Sequence, residues 1–99
     1  MEKMEIALGE DERIYVYADC VRSDSFRISP YQSRFIALLV VSDERQQNRY
    51  AIYDEWRQEG HPCYSDCCDG SLVHFASRDE AEKTYDEKVK EYEKAYPWA

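Results

Sequence analysis

Seven consecutive apolar residues, Phe35-Ile36-Ala37-Leu38-Leu39-Val40-Val41, constrain this chain more than any other feature of it. Successive side chains of a strand point to opposite faces, so a half-buried strand alternates and a run without alternation needs cover on both faces. The run falls far short of the roughly 20 residues that span a bilayer, and its β-branched end favours a strand over a buried helical turn. It reads as the central strand of a sheet. A chain of 99 residues can bury one such core but not two, so a single domain over 1–99 is expected.

The rest of the chain supplies the partners. Arg13 to Cys20 alternates, with Ile14, Val16, Ala18 and Cys20 on one side and Tyr15 and Tyr17 on the other. That is a strand. Ile6-Ala7-Leu8, ahead of Gly9-Glu10-Asp11-Glu12, is a short candidate partner for it in a hairpin. Val21 to Ser33 shows no periodicity and reads as a connection, with a turn at Ser29-Pro30-Tyr31. After the polar stretch Ser42 to Asn48, Arg49 to Arg57 alternates again, with Tyr50, Ile52 and Trp56 against Ala51 and Tyr53. A loop from Gln58 to Gly70 precedes a last short strand at Leu72-Val73-His74-Phe75. Ser77-Arg78-Asp79-Glu80 has the form of a capping box, which satisfies two otherwise unpaired amides at a helix start. Ala81, Tyr85, Val89, Tyr92 and Tyr96 then recur on one helical stripe up to Pro97. The expected fold is α+β, an antiparallel sheet of about four strands with one long C-terminal helix packed on one face. Its expected core includes Ile14, Val16, Phe35, Ile52, Trp56, Val73, Phe75, Tyr85, Val89 and Tyr92.

The segment Phe75-x-Ser77-x-x-Glu80-Ala81-x-x-x-Tyr85 resembles the end of several small sheet-plus-helix families, among them the WGR domain, whose final strand also runs into a capped helix. The resemblance spans Arg34 to Trp98 at most. Asp54-Glu55-Trp56-Arg57 does not reproduce the Trp-Gly-Arg core of that family, so no residue role is carried over.

Neither a basic segment followed by an apolar one at the N-terminus nor a membrane-length apolar run is present, so a cytoplasmic protein with its four cysteines reduced is expected. The densest set of soft-metal ligands is His61, Cys63, Cys67 and Cys68, with Cys20 and His74 as possible additions. Only Cys63 and Cys67 have the spacing of a zinc knuckle and no second knuckle follows, so these thiols are read as packed side chains and neither a metal nor another cofactor is expected. The chain has no Gly-rich phosphate loop, no nucleophile elbow and no His-Glu-x-x-His. Asp54 and Glu55 lie on opposite faces of one strand, so they do not form a catalytic carboxylate pair. A non-enzyme is expected.

Charge and tyrosine content remain. Twenty-one Asp and Glu against 13 Lys and Arg leave a net charge of −8, which opposes direct binding of nucleic acid or of an anionic membrane. Nine tyrosines accompany that charge, and tyrosine gives large contact area at low entropic cost. Tyr15, Tyr17, Tyr31, Tyr53 and Tyr64 are the ones expected to be free for contact. The expected function is a small acidic protein-binding module, an inhibitor that occupies the basic nucleic-acid-binding surface of a partner. In size and charge it resembles nucleic-acid mimics such as phage inhibitors of restriction and CRISPR enzymes. The expected partner is a basic protein, such as a nucleic-acid-binding enzyme. The expected contact rim is Asp43, Glu44, Tyr53, Glu55, Glu59 and Asp66. The alternative from another class is an accessory or self-assembling domain, a homodimer through an exposed sheet edge at Arg13 to Cys20 or a module stabilised by metal at the cysteine loop.

Overall fold

A computed structural model of the chain describes residues 2–7, 13–42 and 48–96. Five strands run β1 (Glu2–Ala7), β2 (Arg13–Ser29), β3 (Gln32–Ser42), β4 (Asn48–Gln58) and β5 (Cys67–Phe75), followed by helix α1 (Arg78–Ala95). They form one antiparallel sheet in the order β1-β2-β3-β4-β5, curled so that β1 approaches β5. The sheet has five strands, not four. Glu2–Ala7 pairs along β2 with Met4 opposite Val16 and Ile6 opposite Ile14, an extension too short for its periodicity to show.

The apolar run lies at the centre of β3, and both of its faces are covered. Ala37, Leu39 and Val41 turn inward on the concave side with Ile6, Ala18, Ala51 and Tyr53. Ile36 and Leu38 turn to the other side and pack with Ile52 beneath Ala81, Tyr85 and Tyr92 of α1. The helix begins where Ser77 Oγ accepts a hydrogen bond from the Glu80 amide at 3.5 Å, and its buried stripe is the one expected. Val89 and Tyr96 are half-buried at its margin. Among the described residues no helix is long and apolar enough to cross a membrane.

Val21 to Ser29 is strand rather than connection. A register shift between Cys20 and Arg22 inserts a bulge that reverses which residues face the helix. Before it the even-numbered Val16 and Ala18 face the concave side; after it Arg22, Asp24 and Phe26 face α1. Two of those three are charged, yet both have helical partners: Asp86 accepts from Arg22 at 2.7 Å and the Tyr85 hydroxyl donates to Asp24 at 2.6 Å. The turn at Pro30-Tyr31 is present, joining Ser29 to Gln32. Val73 is the clearest correction to the expected core: on edge strand β5 it keeps 50% of its surface in water. Trp56 is only half-buried, and the Ile14 side chain lies outside what is described.

Candidate functional site

The described residues of the expected rim fall in two places. Asp43 and Glu44 lie outside the described residues. Tyr53, expected to be free for contact, is only 3% exposed and belongs to the concave core, because its side of β4 is the one the sheet curls around. Its hydroxyl donates to Glu55, which lies two residues along on the same face. These two side chains line a concave cavity of about 360 Å³ together with Met4, Glu5, Ser33, Phe35 and Arg57.

Glu59 and Asp66 lie together in the segment that joins β4 to β5, and this segment is organised by its own hydrogen bonds. The Glu59 amide donates to the Tyr31 carbonyl at 2.9 Å, tying the segment to the β2–β3 turn. Gly60 turns the chain at φ +73°, a conformation that disfavours side-chain-bearing residues, and its amide donates to Asp66 at 2.8 Å. Gln58 donates to the Ser65 carbonyl at 3.3 Å. His61 Nδ1 accepts from the amides of Cys63 and Tyr64 at 2.9 and 3.2 Å, and its ring lies 5.0 Å from that of Tyr31 and 4.7 Å from that of Tyr64. The result is a short aromatic row, with Tyr64 67% exposed, beside the exposed carboxylates of Glu59 and Asp66. The fixed loop means that little ordering entropy remains to be lost when a partner covers it.

Arg57 connects the two places. Its guanidinium lies 2.9 Å from Glu55 in the cavity and 3.1 Å from Glu59 in the loop. Burial opposes its charge, but the neighbouring carboxylates more than compensate and raise its pKa above the ordinary arginine value.

The cysteine loop forms no ligand cluster. His61 Nδ1 is already engaged by two amides, Cys63 is exposed, and Cys67 and Cys68 are successive strand residues that point to opposite faces. Cys20 is on β2, where its thiol donates to the Arg22 carbonyl, and His74 is on β5 opposite Ala51. Among the described residues no three His, Cys, Asp or Glu side chains converge as a metal site.

Asp54 does not belong with the surface carboxylates. It is 6% exposed beneath α1, accepts from Arg34 Nε at 2.8 Å and from the Tyr92 hydroxyl, and lies 3.7 Å from Lys88. Its neighbour Glu55 faces the concave side, so the two carboxylates are separated by the sheet, as their alternation requires. Arg34, Asp54 and Trp56 border a second cavity of about 310 Å³ with Asp69, Gly70 and Ser71. Arg34 lies over the Tyr92 ring at 4.9 Å. A second exposed tyrosine surface, also on the helix-bearing side, lies on the part of β2 that the helix leaves open. There Tyr15 and Tyr17 are 60% and 58% exposed beside Lys3, Glu5 and Asp19.

Comparison with protein-family models, with curated proteins and with solved structures yields no match for this chain. The likeness of the Phe75–Tyr85 segment to the WGR domain therefore carries nothing further.

Proposed function

We propose that this chain is an acidic protein-binding module that occupies the basic nucleic-acid-binding surface of a partner protein. The observation that carries the reading is the ordered loop between β4 and β5, which presents His61 and Tyr64 against Tyr31 of the β2–β3 turn, beside Glu59 and Asp66. Aromatic rings flanked by carboxylates offer a basic groove both the charge of a phosphate backbone and flat apolar surface of the kind bases provide. The net charge of −8 steers such a partner toward the chain from a distance. Tyrosines held in place are the side chains that anchor protein interfaces.

Competition tests it. Immobilised chain exposed to a lysate of its own host should retain a nucleic-acid-binding protein that added duplex DNA or RNA releases, with retention falling steeply as salt rises. Retained proteins indifferent to both nucleic acid and salt would contradict the proposal. Appearance of a dimer of the chain as the retained species would instead support assembly through a sheet edge; Arg13 to Cys20, expected to be that edge, pairs with β1 over Arg13–Ala18 and with β3 from Ala18 onward, so the end strand β5 takes its place.

A further inference from the structure

We infer that His61 is a proton-sensitive latch on the contact loop: the loop keeps its binding shape while the imidazole is neutral and is released when Nδ1 takes up a proton. This rests on the loop being the contact surface proposed above and adds the regulation of that surface. Nδ1 accepts from the amides of Cys63 and Tyr64 at 2.9 and 3.2 Å. A backbone amide can only donate, so the ring nitrogen that faces two of them carries a lone pair, and the proton of the neutral ring sits on Nε2. A side-chain acceptor serving amides two and three residues ahead is the device with which asparagine and aspartate close turns. Here the acceptor is a base, of the one side-chain type whose charge ordinarily changes between about pH 5 and pH 8. Protonation puts an N–H where the lone pair was, and three donors then meet with no acceptor among them.

The imidazole is half-buried, so solvent reaches it. The titratable groups that face it are the Tyr31 ring from the β2–β3 turn and the Tyr64 ring from the loop itself. The charged groups of the same segment are engaged elsewhere: Glu59 pairs with Arg57, and Asp66 receives the Gly60 amide. The change therefore acts through the turn. Tyr64, 67% exposed, loses the bond that fixes its backbone beside His61, and the aromatic row opens. The bonds at the base of the loop, from the Glu59 amide to Tyr31 and from the Gly60 amide to Asp66, involve no imidazole and stay. The loop loosens at its tip while the sheet is untouched, and the positive charge gained on His61 further disfavours a basic partner.

Amide resonances of the whole chain, followed by NMR from about pH 7.5 to about pH 5.5, test the latch without a partner. Those of Cys63 and Tyr64 should move with the same midpoint as the His61 ring protons, and the heteronuclear NOE of residues 63–65 should drop across the transition. His61→Asn is the decisive variant, since its side-chain oxygen can replace Nδ1 as acceptor and does not titrate. Its loop should stay ordered over the whole range, whereas His61→Ala should be loose throughout and match the acid state of the parent. His74, the other histidine, is present in all three chains, so their difference reports on His61 alone. The protein captured in competition with nucleic acid should bind the parent about tenfold more weakly than it binds His61→Asn at the acid end, the loss of one hydrogen bond of typical net strength. Cys63 and Tyr64 amides indifferent to the titration of His61, the same response in His61→Asn, or equal acid affinities of the two chains would overturn the inference. The two readings fail separately: a loop that switches with no such protein captured leaves the latch and removes the partner, and a captured protein with a loop that ignores pH does the reverse.

Discussion

Replacing Asp54 by alanine is expected to lower the unfolding free energy by about 3 kcal/mol, the lower end of the loss on breaking a buried charged pair. The change removes the acceptor shared by Arg34 and Tyr92 and the carboxylate nearest Lys88. Both donors then remain under the helix without the carboxylate that receives them, and leaving buried donors without their acceptor costs more than the original bonds contribute. The lower end applies because the Arg34 side chain keeps 29% of its surface in water and recovers part of its hydration. Against a total stability of about 5 to 15 kcal/mol the loss is large, and for a domain this size it should lower the melting temperature by at least about 12 °C. Glu59→Ala, which breaks only an exposed pair with Arg57, should move stability by no more than about 0.5 kcal/mol. A thermal melt of Asp54→Ala within about 1 kcal/mol of the parent would show that the polar cluster does not hold the helix to the sheet.

The same face should also make the fold sensitive to alkali. Tyr85 and Tyr92 are both held above the ordinary tyrosine range, first because burial disfavours a phenolate and second because each hydroxyl donates to a carboxylate, Asp24 and Asp54 respectively. In the unfolded chain these phenols ionise near the usual value of about 10. Above that pH the unfolded state loses protons that the native state retains, so stability falls as pH rises. Their contribution is full below about pH 10 and is lost progressively on the way up to the native values. Spectrophotometric titration should therefore show Tyr85 and Tyr92 ionising only as the chain unfolds. The Tyr85→Phe/Tyr92→Phe double variant should reduce the late step by the absorbance of two phenols. Reversible ionisation of all nine near pH 10 in a folded chain would contradict the arrangement.

How far the residues announced this arrangement depended on what periodicity records. The β3 run, the alternation of β4 and the stripe Ala81-Tyr85-Val89-Tyr92 were legible because each repeats at the spacing of its element. The second half of β2 was not, since one bulged residue reverses its faces and the first two inward positions after it are Arg22 and Asp24, charged residues that alternation reads as solvent-facing. The burial of Asp54 was not legible for a related reason. Its even position in β4 puts it on the Ile52 side, but only the helix above shows that this side is covered and that Arg34 and Tyr92 are there to receive a carboxylate. Tyr53 carried the opposite error, because curling of the sheet closes a face that a flat sheet would leave open. Of the expected rim, Glu59 and Asp66 do lie together, but the aromatic row that gives them a context comes from Tyr31 on a different turn, a proximity that no local spacing encodes.

The loop between β4 and β5 is the surface through which we propose that this chain binds a basic partner. The measurement that bears on it most directly is the dissociation constant of the captured partner at low and high salt for the parent and for the Tyr64→Ala/Glu59→Lys variant. Both side chains are exposed, so the melting point should hardly move. Affinity at low salt should fall by at least about 30-fold, the loss that marks an interface anchor, and the salt dependence should become shallower. Unchanged affinity with the same salt slope would show that the loop is not the contact surface.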